Sequence, residues 1–146
     1  MIIGIGVDMI EHERVKDVLA KFEGRFARKL FTGVERAYCE ARPAPYVHYA
    51  ARFAAKEAFL KAVGLGMSGG MRWRDCGVVN DARGKPDLVI EGNGLKRCRE
   101  LGATHAHVSL SHSRGYAIAM VVLERREDSD GPRGMGRRIE ETGDKE

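Results

Sequence analysis

Cysteine is scarce in this 146-residue chain: Cys39, Cys76 and Cys98 are far apart, odd in number and include no C-x-x-C pair. That spacing supports neither a disulfide framework nor a zinc knuckle. Long hydrophobic runs are missing too, since no stretch approaches the ~20 apolar residues of a membrane span. The opening Met1-Ile2-Ile3 has no basic leader and meets Asp8 before a signal-like hydrophobic region can form. The expectation is a reduced, cytoplasmic protein without a membrane segment. Aromatic residues are few, 7% of the chain with Trp73 the single tryptophan. The basic helices and Trp73 raise a nucleic-acid-binding module, but there is no aromatic-and-basic RNA-binding motif, zinc finger or clear helix-turn-helix pattern, and no nucleic-acid partner is expected. A strong charge imbalance is also absent: 25 Lys and Arg face 21 Asp and Glu, for +4. Residues 125–146 hold six bases and seven acids, so residues 1–124 carry +5, which favours an anionic partner without identifying it.

What is present reads as one domain, with no internal repeat. Its length suffices for a core but is small for an enzyme that must enclose a long substrate, a difficulty that a site shared between subunits would resolve. Residues 1–10 read as a strand, 11–20 as a surface helix, and 22–30 as a second basic amphipathic stretch. Thr32 followed by Glu35 is a capping box opening a short helix over 32–39. Pro43-Ala44-Pro45 separates it from a long alanine-rich helix over 46–63, which Gly64 stops. The following loop, Gly64 to Gly70, is no Walker A motif, because no Gly-Lys-Ser/Thr follows. Strands over 73–80 and 86–91 flank the hairpin loop Asp81 to Lys85. A basic helix over 94–101 precedes a second hairpin, 107–110 and 116–124. The latter strand is apolar on both faces, so it belongs at the centre of a sheet or at a subunit contact. From Arg125 on, Met135 and Ile139 are the only large apolar residues, and 125–146 reads as a charged, disordered tail.

Two acids stand out. Glu57 interrupts the stripe Tyr49, Phe53, Glu57, Leu60, Gly64, which at helical spacing faces a core or a lined cleft. A charge there needs a compensating cation, although an exposed pair with Lys61, four residues on, would also account for it. Asp8 follows Gly4 and Gly6 on the even face of the first strand, and glycines inside a strand mark close approach of a ligand or another backbone. Two hard oxygen ligands from separate elements suit magnesium, which fills its octahedron with waters and phosphate oxygens.

The motifs Gly4-Ile5-Gly6-Val7-Asp8, Arg52-Phe53-Ala54-Ala55-Lys56-Glu57-Ala58-Phe59-Leu60-Lys61-Ala62 and His107-Val108-Ser109-Leu110-Ser111-His112 occur in this order. Together, over residues 1–124, they resemble the bacterial holo-acyl-carrier-protein synthases, the short class of phosphopantetheinyl transferases. The resemblance implies an α+β fold, a long helix packed on an antiparallel sheet, assembled as a homotrimer with sites between subunits. It implies transfer of 4'-phosphopantetheine from coenzyme A to a serine of acyl carrier protein, supporting fatty acid biosynthesis, with magnesium held by Asp8 and Glu57. Lys61 is then placed to contact the phosphates or help the serine lose its proton, the alternative base being a water oriented by Glu57. His107, with Ser109 and His112 nearby, is assigned to coenzyme A binding, and Arg52 and Lys85 are candidate contacts for the nucleotide phosphates. Arg14, Lys16, Lys21, Arg25, Arg28 and Lys29, with Phe26 as an apolar anchor, would meet the acidic carrier protein. A magnesium-dependent nucleotide hydrolase is the rival function, because paired carboxylates near a glycine loop serve it equally well.

Overall fold

The computed structural model describes residues 1–127 and 136–139. Strand β1 (Ile2–Glu11) leads into α1 (His12–Lys21), α2 (Arg25–Leu30), α3 (Gly33–Glu40) and the long α4 (Pro45–Val63). After a 3-10 turn, Trp73–Asp75, come β2 (Cys76–Asn80), β3 (Pro86–Ile90), α5 (Gly92–Leu101), β4 (His105–Ser113), β5 (Tyr116–Glu124) and β6 (Arg137–Arg138). Four strands form an antiparallel sheet in the order β1-β5-β4-β6, and β2 with β3 makes a separate hairpin. The class is α+β, as the resemblance implies. The strand apolar on both faces, β5, lies between β1 and β4. Its Ala117, Ala119, Val121 and Leu123 are buried on the side of α4, whereas Tyr116, Ile118 and Met120 on the other side are exposed.

Helix and sheet meet through main chain. A Cβ at Gly6 would collide with the carbonyl oxygen of Ala58, and one at Gly4 with that of Ala62. Of the two explanations that strand glycines allow, close approach of another backbone is therefore the operative one, and α4 is that backbone. The helix is buried on most sides, which explains its many alanines: Ala50, Ala51, Ala54, Ala55, Ala58 and Ala62 all lie in the interior. Pro45 opens it, and Gly64, at φ 77°, closes it by turning its N–H back to the Leu60 and Lys61 carbonyls. Phe53, Glu57 and Lys61 form its half-open seam. Of the two settings expected for Glu57, the lined cleft is correct.

The capping box at Thr32 has a longer reach than its local pattern suggests. Glu35 Oε1 accepts from the Thr32 N–H at 3.0 Å, and Oε2 accepts from the Val78 N–H at 3.1 Å. Lys56 Nζ sits 2.7 Å from the same carboxylate and also donates to the carbonyls of Trp73 and Cys76. These two side chains are 0% and 1% exposed, so a fully buried ion pair pins α3, α4 and β2 together.

Several boundaries differ from the sequence-based ones. Residues 73–75 make a 3-10 turn ahead of β2, and β4 spans nine residues, starting two residues before His107. The assigned tail also contains structure, because Arg137 and Arg138 pair with Ala106 and His105 on β4 while Ile139 is 2% exposed in the core. One isoleucine suffices there because an existing strand edge supplies the hydrogen bonds and an existing core supplies the seat. Residues 128–135 and 140–146 of that tail lie outside the described residues.

Candidate active site

Asp8 lies near the far end of β1 from the two glycine contacts, and Glu57 faces it from α4 across a cleft of about 420 Å³ whose walls include Ile10, Arg14, Phe26 and Phe53. Burial, and next the Asp8 charge, hold the Glu57 carboxyl above its usual range, with Lys61 opposing them. Lys61 does not close a pair with Glu57. It donates to Asp8 Oδ1 at 3.2 Å and to the Val7 carbonyl at 2.8 Å, bridging helix and strand. The three residues expected to carry the chemistry are thus brought together. The donor chemistry fits magnesium: two hard oxygens face one cleft, and a cation between them would relieve the like-charge crowding that raises Glu57. No group of three or more His, Cys, Asp or Glu suited to a metal occurs among the described residues, so Asp8 and Glu57 would be the protein's contribution to such a site.

The remaining candidates fall in two other places. Arg52 is buried on the opposite flank of α4, where its Nη2 donates to Asn80 Oδ1 at 2.6 Å and its guanidinium lies 4.0 Å from the Tyr38 ring. Asn80 in turn donates to the Gly84 carbonyl, so Arg52 is tied to the root of the hairpin loop that carries Lys85. Arg42, 3.3 Å from the same Tyr38 ring, adds a second guanidinium that the sequence did not single out. Burial, followed by Arg52, Arg42 and His112, holds His48 below the usual histidine range, which places His112 beside this basic cluster. His107 and Ser109 stand apart. In the register His107 opposes Val122 and Ser109 opposes Met120, whereas Leu110 and Asp8 both oppose Ala119. His107 and Ser109 therefore lie on the sheet face turned away from α4, the face opposite to Asp8.

An apolar groove of about 450 Å³ adjoins the cleft and shares Phe26 and Phe53 with it. Phe22, Leu30 and Trp73 complete its lining, and Arg25 and Lys29 edge it. Phe53 stacks on Trp73, with centroids 5.5 Å apart. Burial pushes all three thiols up to about 12, so none is a thiolate at neutral pH.

The family model described as the 4'-phosphopantetheinyl transferase superfamily matches residues 4–121. The chain belongs to this superfamily. It is similar to the holo-[acyl-carrier-protein] synthase of Geobacter sulfurreducens, 47% identical over 125 residues, which cover 86% of this chain and 99% of that one. Among solved structures it resembles the holo-[acyl-carrier-protein] synthase of Neisseria meningitidis, with TM-score 0.77, 37% identity, and coverage of 86% of this chain and 100% of that one. It also resembles the Bacillus anthracis holo-(acyl-carrier-protein) synthase in complex with CoA (3',5'-ADP), with TM-score 0.71, 38% identity, and coverage of 86% and 99%. As a phosphopantetheinyl transferase the protein is an enzyme, and none of its described helices is long and apolar enough to cross a membrane.

Beside His107 this transferase carries a carboxylate that sequence reasoning passed over. Glu124 Oε2 lies 3.1 Å from Arg126 Nε and 2.7 Å from His107 Nε2. Bonding to Arg126 first, and to His107 second, holds its carboxyl down at about 2. A depressed folded-state value stabilises the protein above the ordinary carboxylate range of about 4.5, and this is lost as the pH falls towards 2. Glu124→Gln is expected to lower Tm at pH 7, with the gap from wild type narrowing steadily below pH 4.5. Thermal melts of both proteins across pH 3–7 test this, and a gap that stays constant would contradict it.

Proposed function

We propose that this protein transfers the 4'-phosphopantetheine group of coenzyme A to a serine of apo acyl carrier protein, releasing adenosine 3',5'-bisphosphate. The observation that carries this reading is the meeting of Asp8 and Glu57 in one cleft, with Lys61 bonded to Asp8, beside an apolar, basic-edged groove. Asp8 and Glu57 would hold magnesium, which when bound supplies positive charge against the pyrophosphate. The serine oxygen forms a bond to the phosphorus that bears pantetheine, and the bisphosphate leaves with the electron pair of the broken P–O bond. Lys61 already donates two hydrogen bonds, one of them to the Asp8 carboxylate, which suits it to the phosphates and leaves a water oriented by Glu57 as the better proton acceptor. The Arg52, Arg42, His48 and His112 neighbourhood supports phosphate recognition at the nucleotide end, with Lys85 on the adjoining loop.

The two-sided placement of site residues supports assembly from several copies. Within one chain, His107 and Ser109 cannot join Asp8 through the sheet, but a second copy packed on the outer sheet face could present its own pair. That face exposes Ile5, Val7, Met9, Tyr116, Ile118 and Met120, a contiguous apolar patch of the kind that proteins cover. A homotrimer with sites at the subunit boundaries is the assembly proposed. Three buried, free cysteines are compatible with a cytoplasmic location, and supply of holo carrier protein to fatty acid biosynthesis is the proposed role.

The carrier protein would dock where the groove meets the cleft, with its acidic helix against Arg14 and Arg25 and its apolar side against Phe26 and Trp73. The double variant Arg14→Glu with Arg25→Glu is expected to raise KM for the carrier about tenfold or more, with a much smaller change for coenzyme A. Equal effects on both substrates in steady-state kinetics would reject this docking face. The reaction itself is tested by incubating the protein with coenzyme A, magnesium and apo carrier protein, then measuring intact mass. A gain of one phosphopantetheine on the carrier supports the assignment. Nucleotide turnover without carrier modification would instead mark a magnesium-dependent hydrolase.

A further inference from the structure

Helix α3 ends with Glu40, and its last carbonyls need donors from beyond the helix. Arg42 supplies one by folding back. Its Nη1 donates to the Tyr38 carbonyl at 2.8 Å, and its guanidinium carbon lies 3.3 Å from the centre of the Tyr38 ring. Arg52 reaches over the same ring from α4, with its guanidinium carbon 4.0 Å from the centre. Two guanidiniums at these distances cannot share one face of a phenol ring without overlapping, so the ring stands between them. Each aromatic face attracts the cation over it, and the ring keeps apart two like charges that would otherwise repel. His48 meets the same ring edge-on, with centroids 5.9 Å apart.

The stack runs from core to surface. Arg52 is 2% exposed, whereas Tyr38 and Arg42 are half-buried. Arg52 donates to Asn80 Oδ1 and to the His48 carbonyl, both neutral acceptors, and its Nε is buried without an acceptor. Among the described residues no carboxylate pairs with it, and a guanidinium so far from water calls for an anion. Among the described residues the Arg42 side chain makes no hydrogen bond except that to Tyr38, which leaves its other N–H groups open. An anion arriving from solvent meets Arg42 first and has the Arg52 charge one ring deeper.

We infer that Tyr38 is a positioning residue for phosphate recognition: its ring holds the Arg42 guanidinium flat at the surface, in front of the buried Arg52. The inference rests on the proposed reading of this cluster as the nucleotide end of the coenzyme A site. Without the ring face, Arg42 is a long side chain free to swing into water, and binding must order it again. Phenylalanine offers the same two faces, whereas leucine fills comparable space and offers none.

Isothermal titration of the full-length protein with adenosine 3',5'-bisphosphate, magnesium omitted, is the first test. Tyr38→Phe is expected to bind within about twofold of wild type and Tyr38→Leu about tenfold more weakly. Unchanged affinity in Tyr38→Leu, or an equal loss in Tyr38→Phe, would overturn the role of the ring faces. Steady-state kinetics is the second. Tyr38→Leu is expected to raise KM for coenzyme A by the same factor while kcat and KM for the carrier stay near wild type, and a fall confined to kcat would overturn the proposal. If Tyr38→Leu does not fold, Arg42→Lys decides. It keeps the charge and cannot lie as a plate, so it is expected to lose about tenfold in bisphosphate affinity, and no loss would overturn the stack. Arg42→Met separates the two readings. If it binds the bisphosphate as wild type does, the cluster is not the nucleotide end and Tyr38 loses its role with it. If it weakens binding while Tyr38→Leu does not, only the role of Tyr38 is wrong. Adding Tyr38→Leu to Arg42→Met is expected to cost nothing further, and a second tenfold loss would show that the ring does not act through Arg42.

Discussion

Asp8→Asn and Glu57→Gln are each expected to lower kcat for transfer by about a thousand-fold, which corresponds to roughly 4 kcal/mol of transition-state stabilisation. Each amide keeps the shape of its carboxylate and removes the charge, so the loss reports the ability to hold a cation and not the filling of space. Folding should survive both changes. The Asp8–Lys61 pair is solvent-exposed on the lysine side, and contacts of that kind are worth about 0–1 kcal/mol. Glu57→Gln also removes the like-charge crowding with Asp8, so its Tm is expected to equal or exceed that of wild type. Carrier modification followed by mass, beside a thermal melt, separates the two effects. Full activity in either variant would eliminate the paired-carboxylate mechanism.

The largest effect on stability is expected one residue away. Lys56→Met should cost about 3–5 kcal/mol, because it leaves the fully buried Glu35 carboxylate with two backbone N–H donors and no cation. A domain of this size is stable by only about 5–15 kcal/mol, so such a loss is a large share of the total. Adding Glu35→Gln should recover a substantial part of it. The amide oxygen can still accept a backbone N–H, and no uncompensated charge remains. Urea unfolding of wild type, single and double variants tests this as a cycle. A Lys56→Met protein within about 1 kcal/mol of wild type would mean that the pair contributes little beyond its neighbours.

Local chemistry was legible in the sequence and distant pairing was not. The Thr32–Glu35 capping box, the Gly64 stop and the hairpin loop at Asp81–Lys85 each announce themselves within a few residues, and all three are present. The central position of β5 follows from its apolar residues on both faces. By contrast, Glu35 and Lys56 stand 21 positions apart, and neither carries a local mark of its partner. Lys56 was readable only as a charge inside an alanine-rich run, whereas Glu57 drew attention by interrupting an apolar stripe. Lys61 offered Glu57 as an obvious partner one turn away, yet it turns to a strand more than fifty residues earlier. The short strand at 137–138 escaped because a segment with so few apolar residues reads as unstructured until a vacant sheet edge is known to be beside it.

The contact of Gly4 and Gly6 with the carbonyls of α4 leaves no side chain between the strand bearing one acid and the helix bearing the other. Divergence among the surrounding aliphatic positions can loosen or tighten the molecule while the gap between its two acids remains an inherited property of the polypeptide trace. Even alanine at either glycine would collide with the helix main chain and push strand and helix apart, making these two smallest residues less replaceable than most of the core they border.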